Sequence, residues 1–215
     1  FVGDIKYKDV NKDGIIDEKD KTDLGSPFPK MTFGFNNTFR YKNFDLNVFI
    51  NGALGGKIGN YMKMKLTHMN STWTNQLVDV NNRTRLTSND GDLSGRWFDD
   101  ITRVVVANPG ATMPRASIND PNNNDAWSSR YIEDGSYMRL KSVTLGYTFD
   151  NKLVRKIGLS TLRLSLNATN LFTITGYDGY DPEIGISPAS ANVYNLDNGR
   201  YPSPTTITFG LDMSF

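Results

Sequence analysis

Residues 161–171 read TLRLSLNATNL, with Leu162, Leu164, Leu166 and Ala168 alternating against Arg163, Ser165, Asn167 and Thr169. A period of two sends successive side chains to opposite faces of an extended strand, so one face is apolar and the other polar. Four further segments repeat the pattern. Residues 31–39 (MTFGFNNTF) align Met31, Phe33, Phe35 and Phe39 against Thr32, Gly34, Asn36 and Thr38. Residues 44–52 (FDLNVFING) align Phe44, Leu46, Val48 and Ile50 against Asp45, Asn47, Phe49 and Asn51. Residues 137–149 (YMRLKSVTLGYTF) place Val143, Leu145, Tyr147 and Phe149 together, and residues 205–215 (TTITFGLDMSF) set Ile207, Phe209, Leu211, Met213 and Phe215 against Thr206, Thr208, Gly210, Asp212 and Ser214. The short Tyr41-Lys42-Asn43 link makes a hairpin of the first two in chain order.

Each segment exceeds the roughly 5–6 residues of a common globular strand. Tilted strands that cross a bilayer need about 9–11 residues. Leu and Phe on one face with Asp, Asn, Thr and Ser on the other suit a barrel wall between lipid and a wet lumen. Aromatic residues at strand ends (Phe39, Tyr41, Phe44, Tyr137, Phe149 and Phe172) stand where interfacial girdles stand. A soluble β-sandwich alternates too, and remains the competing all-β reading at this point.

Composition is compatible with both. The mean hydropathy is −0.47 although 12% of residues are aromatic, as expected where only one strand face is apolar. A net charge of +1 gives no electrostatic footprint for nucleic acid. Cysteine is absent and there is one histidine, which excludes disulfides, thiol chemistry and multi-histidine metal sites. No apolar run is long enough for a transmembrane helix. The chain begins at Phe1, without Met or signal peptide, as a processed or truncated piece of a longer protein would.

The connections are unequal. Residues 53–136 and 172–204 are long and rich in Asn, Asp, Ser, Gly and Pro, as in INDPNNNDAWSS (118–129) and DPEIGISPASANVYNLDNG (181–199), whereas the other links are short. Long loops at one end and short turns at the other characterise outer-membrane barrels. Residues 96–106 (RWFDDITRVVV) hold a further candidate strand.

The sharpest local motif is DVNKDGIIDEKD (9–20). Asp9, Asn11, Asp13, Asp17 and Asp20 stand at positions 1, 3, 5, 9 and 12 of a calcium loop, and Ile15 offers its backbone carbonyl from position 7. Gly14 supplies the sharp turn. Aspartate at the last position is shorter than the usual glutamate, and no amphipathic helices flank the loop, so the expectation is a structural Ca2+ clip of dockerin-like type rather than a sensor. The competing expectation is an Asx-rich turn that binds nothing. His68 reads as a solvated loop residue. Trp73, Trp97, Trp127, Tyr177 and Tyr180 read as loop aromatics that pack locally or stack on a ligand. No phosphate-cradling loop, acid–base carboxylate pair or nucleophile elbow is present, so the chain is not expected to be an enzyme.

Taken in order, GDIKYKDVNKDGIID (3–17), LGSPFPKMTFGFNNTFRYKNFDLNVFINGALG (24–55), DGSYMRLKSVTLGYTF (134–149), NLFTITGYDGYDPE (170–183) and PSPTTITFGLDMSF (202–215) resemble the C-terminal part of SusC/RagA-like TonB-dependent outer-membrane transporters. The resemblance runs through the whole chain. It implies the C-terminal strands of a 22-stranded antiparallel transmembrane β-barrel in the outer membrane of a Gram-negative, Bacteroidetes-type bacterium. Residues 1–27 would form an extracellular loop segment with the calcium loop, and residues 28–215 the barrel strands and extracellular loops. The plug domain and TonB box would lie in the absent N-terminal part. The implied function is import of oligosaccharides, other glycans or peptides under a SusD-like surface lipoprotein lid. Implied partners are the rest of the barrel and plug, TonB, the substrate and outer-membrane lipid. Phe215, closing an alternating strand, resembles the signal by which such barrels are recognised for insertion. The alternative is a soluble secreted β-sandwich that binds carbohydrate and carries a dockerin-like calcium loop.

Overall fold

A computed structural model describes residues 1–70, 73–184 and 194–215. Ser71, Thr72 and residues 185–193, the last within the 181–199 loop, lie outside the described residues. Among the described residues there are ten strands: β1 (Met31–Tyr41), β2 (Phe44–Leu54), β3 (Lys57–Asn60), β4 (Leu86–Ser88), β5 (Val104–Val106), β6 (Ile132–Asp134), β7 (Tyr137–Thr148), β8 (Thr161–Thr175), β9 (Leu196–Asp197) and β10 (Thr206–Ser214). The five alternating segments become the five long strands, within a few residues at each end.

Those five form one antiparallel sheet in the order β1-β2-β7-β8-β10. The register aligns the alternation across all of them. Phe39 pairs with Leu46, Leu46 with Leu145, Leu145 with Leu166 and Leu166 with Phe209, giving one apolar rung five strands wide. The rung in the opposite phase, Thr38, Asn47, Thr144, Asn167 and Thr208, is wholly polar. A two-residue turn with Lys42 at φ 54° closes the β1–β2 hairpin. Near it, Phe44 and Tyr147 ring centroids lie 4.7 Å apart and Tyr147 and Phe149 4.9 Å apart, a girdle-like cluster at the short-turn end.

The apolar face is bare. Phe39 is 59% exposed and Phe209 82% exposed, and Leu145 and Leu166 are exposed between them. A sandwich would bury this face beneath a second sheet about 10 Å away. Among the described residues no sheet covers it, and the sandwich expectation therefore fails on packing. The outer edges of β1 and β10 have no strand beside them among the described residues. Gly52 lies where a methyl group would meet the Tyr137 carbonyl and the Phe33 ring, so its lack of a side chain permits the close strand approach.

The register slips once. Phe49 pairs with Ser142 but Ile50 pairs with Leu140, leaving Lys141 as an extra residue in β7. On the other side Ser142 faces Thr169 and Leu140 faces Phe172, so β8 carries one residue more again. Such bulges bend a strand and increase its twist. This one also explains why Met138 and Leu140 share the apolar face with Val143 and Leu145 although their numbers differ in parity.

The chain divides into two compact units. The sheet belongs to the unit of Gly25–Gly59 and Ile132–Phe215, together with the small β6-β3-β9 sheet. Ile58, Tyr177 and Ile184 form a buried cluster in that unit. The other unit joins Phe1–Leu24 to Asn60–Tyr131. In it the N-terminal segment folds with a distant loop. Arg115 N donates to Gly3 O at 2.8 Å, Ile5 N donates to Asn124 Oδ1 at 2.8 Å, and Asn122 Nδ2 donates to Ile5 O at 2.9 Å. This unit also holds helix α1 (Tyr61–Leu66), capped by the Asn60 side chain, and the β4–β5 ribbon. The strand expected within 96–106 is confined to Val104–Val106 and pairs with β4, not with the large sheet.

Candidate functional site

The polar face of the sheet is knitted by its own side chains. Asn47 Nδ2 donates to Asn36 Oδ1 and to Thr38 Oγ1, each at 2.9 Å, and Thr144 Oγ1 donates to Asn167 Oδ1 at 2.9 Å. Towards the short-turn end Arg163 Nη2 donates to Asp45 Oδ2 at 2.8 Å. Polar groups in these positions suit a surface that meets water, since they would be costly against hydrocarbon.

At the long-loop end the polar face holds an ionic anchor. Arg139 of β7 is 3% exposed. Its Nε donates to Thr173 Oγ1 at 2.7 Å, Nη1 to Glu183 Oε2 at 2.8 Å and Nη2 to Asp181 Oδ1 at 2.5 Å. Lys141 Nζ donates to the same Glu183 Oε2 at 2.9 Å. Burial works against ionisation of Asp181. The Arg139 bond and the N–H groups of Ser203 and Glu183 outweigh it and hold the carboxyl below the ordinary carboxylate range. The arrangement fastens the loop after β8 to the strand wall. Nearby, Tyr177 is buried and its hydroxyl donates to Asp197 Oδ2 at 2.5 Å. Burial and that carboxylate together push the phenol's pKa far up.

The 9–20 loop has the conformation its sequence demands. Lys12 N and Gly14 N donate to the two carboxylate oxygens of Asp9, at 2.6 and 2.8 Å. Asp13 N donates to Asn11 Oδ1 at 3.0 Å and Ile15 N to Asp13 Oδ1 at 2.9 Å. Asp17 caps the short 3-10 turn Glu18–Asp20, with Lys19 N donating to its Oδ1 at 2.8 Å. Asp20 accepts from Val10 N at 2.7 Å and Asp17 N at 2.9 Å, closing the loop from its last position to its second. The Asp17 and Val10 N–H groups keep the Asp20 carboxyl below its ordinary range. Gly14 stands at φ 83°, a conformation that glycine adopts without steric penalty. Each N–H engages one lone pair of an oxygen that has two, so the ordered oxygens keep capacity for a hard cation. The residue types are those of a calcium loop, and the carboxylates of Asp9 and Asp20 are held by backbone N–H groups.

Of the loop aromatics, Trp127 packs between Tyr61 and Tyr131, Trp97 lies against Phe98, and Tyr180 and Trp73 are largely exposed. His68 departs from expectation. Its side chain is mostly buried, and its Nε2 lies 3.2 Å from Asp125 Oδ2. The partner is 57 positions away in sequence (125 minus 68), which local reading of KLTHMNSTW could not find.

No family model matches the chain. It is 35% identical over 213 residues to TonB-dependent receptor P3 of Formosa agariphila, covering 97% of this chain and 19% of that protein. It is 32% identical over 217 residues to TonB-dependent receptor P26 of the same organism, covering 100% and 20%. TonB-dependent receptor SusC of Bacteroides thetaiotaomicron is 25% identical over 211 residues, covering 97% and 17%. The chain thus spans about a fifth of the length of the curated relatives it matches. These relatives are receptors, not enzymes. In fold, a chain of the RagAB peptide transporter superposes with a TM-score of 0.65 at 22% identity, over 89% of this chain and 18% of that one. The closed-closed state of the RagAB peptide importer gives 0.65 at 20% identity, over 94% and 20%. Named TonB-dependent receptors match the chain along its whole length, and the chain fits a C-terminal fragment of a SusC/RagA-like TonB-dependent receptor.

Proposed function

We propose that this chain forms the C-terminal strands and extracellular loops of a TonB-dependent outer-membrane importer of oligosaccharides or peptides. The observation that carries the reading is the five-stranded apolar face, which no second sheet covers among the described residues and which leaves Phe35, Phe39, Leu145, Leu166, Phe209 and Leu211 exposed, backed by a hydrogen-bonded polar face. Such a wall is stable where lipid covers one side and water the other. Open strand edges cannot persist in hydrocarbon, so further strands of the same receptor complete the sheet into a barrel of 22 strands around a plug. A SusD-like lipoprotein closes the extracellular mouth, and TonB supplies energy through the N-terminal part. The likeness to a peptide transporter is at 22% identity and does not choose between peptides and oligosaccharides, so the substrate class is assigned by growth. The Asp9–Asp20 loop holds a structural calcium ion that stiffens an extracellular segment.

The test uses the full-length receptor in its own outer membrane. The sequence contains no cysteine, so single cysteines at neighbouring positions report orientation cleanly within this stretch. Thr144→Cys should react with a small hydrophilic maleimide, and Leu145→Cys only with a lipid-dissolved reagent. Equal labelling of both by the hydrophilic reagent would overturn the reading. Deletion of the receptor should abolish growth on its oligosaccharide or peptide as sole source, which names the substrate class.

A further inference from the structure

The unit built from Phe1–Leu24 and Asn60–Tyr131 contains a side-chain cluster that the transport reading does not use. Ligand atoms of His68, Asp120 and Asp125 all lie within 4.8 Å of one another. They line one small cavity of about 20 Å³, with Thr67, Asn124 and Tyr131 among its walls. That is room for one water-sized body, since about 10–15 Å³ holds a water.

Two observations distinguish this cluster from an ordinary acidic patch. Asp120 is 8% exposed, and its Oδ2 is buried without a hydrogen-bond partner. Its other oxygen, Oδ1, accepts from Asn124 Nδ2 at 2.8 Å, which fixes the carboxylate of a residue that lines the cavity. His68 Nε2 is buried too and makes no well-formed hydrogen bond, although Asp125 Oδ2 is 3.2 Å away. A buried carboxylate oxygen with no hydrogen-bond donor, close to a buried ring nitrogen whose neighbour is a second carboxylate, is costly unless something binds them together.

The surrounding charges leave the cluster negative. Arg115 is committed to Asp4, Nε to Oδ1 at 2.9 Å. Arg130 donates to the Thr112 carbonyl at 3.3 Å and to Met113 Sδ at 3.2 Å. Tyr7 donates to Asn123 O at 2.5 Å, and its phenol is pushed up in pKa by burial, Tyr131, Asp120 and Asp125, against Arg130. Two carboxylates therefore face the cavity with neither arginine turned wholly to them.

We propose that His68, Asp120 and Asp125 bind one divalent transition-metal ion, with zinc as the best-fitting occupant. One imidazole and two carboxylates supply three ligands of the borderline kind zinc accepts, at about 2.0–2.2 Å. Asn124 acts as the outer partner that orients Asp120. The ion joins the segment after α1 to the 120–125 turn, so it fastens this unit internally. The inference does not depend on what the receptor transports.

The test measures Zn2+ binding to the purified full-length receptor after chelator treatment and dialysis. The wild type should bind one equivalent more than His68→Gln or Asp120→Asn, or bind it at least tenfold more tightly at that site. Asp13→Ala, in the 9–20 loop, should leave this equivalent unchanged. Identical stoichiometry and affinity in the wild type and both variants would overturn the proposal. If either variant fails to fold, anomalous scattering at the zinc edge from wild-type crystals decides. A peak bonded to His68 Nε2 supports the site, and no peak there after soaking with Zn2+ rejects it.

Discussion

Arg163 of β8 reaches Asp45 of β2 at 2.8 Å, passing over β7 at Gly146. Asp45 and Ser165 both pair with Gly146, and a methyl group there would collide with the Arg163 guanidinium and the Asp45 carboxylate. Glycine is thus required by the ion pair above it, not by its backbone angle. Gly146→Val should part the two side chains and destabilise the full receptor by about 1–3 kcal/mol, the usual range for overpacking. Urea unfolding in detergent micelles checks this, with Gly34→Ala as a comparison, because the nearest atoms there are at ordinary van der Waals contact of 3.4 Å.

Leu166 sits between Leu145 and Phe209 in the apolar rung, and its neighbour Asn167 sits between Thr144 and Thr208 in the polar one. Leu166→Arg should cost about 2–4 kcal/mol, as for a cation placed on a barrel's lipid face near the midplane. Asn167→Arg should cost much less. The readout is the heat-modifiable mobility shift and outer-membrane yield of each variant. Equal effects of the two substitutions would contradict the assignment of faces.

The Arg139–Asp181 anchor should respond to mutation and to acid. Arg139→Met leaves Asp181 buried without its cation, and removal of one partner from such a pair costs about 3–5 kcal/mol locally. The expected result is faster proteolysis within the loop after β8, with the rest of the receptor intact. Because the folded-state pKa of Asp181 is lowered, its contribution is fully present above the ordinary value of 3.8. It is lost as pH falls through the lowered folded value. Protease protection should therefore be flat from neutral pH to about 5 and decline only in stronger acid.

The 9–20 loop should bind calcium, or terbium as its luminescent substitute, in the full receptor. Asp9→Ala and Asp13→Ala each remove a charged ligand and should weaken binding at least tenfold. Gly14→Val tests the turn alone. Nothing lies within 4 Å of a side chain added there, so only the left-handed backbone at φ 83° resists it. That strain is about 1–2 kcal/mol, and the expected loss of affinity is correspondingly several-fold. Terbium emission unchanged in all three variants would reduce the loop to an Asx-rich turn.

What the sequence disclosed follows from how far apart the deciding residues lie. The long strands were legible because Leu162 to Ala168 or Ile207 to Met213 carry their pattern within one segment. The short strands β3, β6 and β9 were not, because two to four residues cannot display a period. Lys141 interrupts the alternation of β7, so Met138 and Leu140 fell out of phase with Val143 until pairing with β2 was known. The turn at 9–20 was legible because its side-chain oxygens are spaced within twelve positions. His68 was misread as solvated, because Asp120 and Asp125 reach it only through the tertiary path of the 60–131 segment. Arg139 gave no signal at all, as its carboxylate partners stand beyond the next strand.

The extra residue in β7 has an evolutionary side. Removing Lys141 would leave Leu140, Ser142 and Val143 in faultless alternation and in simple step with β2. The shortened gene would encode a strand more regular than the natural one, and hydropathy would register no damage. Yet Glu183 would lose one of the two cations that grip it. The irregularity is therefore heritable information about the loop, written in the wall, and selection on loop geometry is what would keep that codon in place.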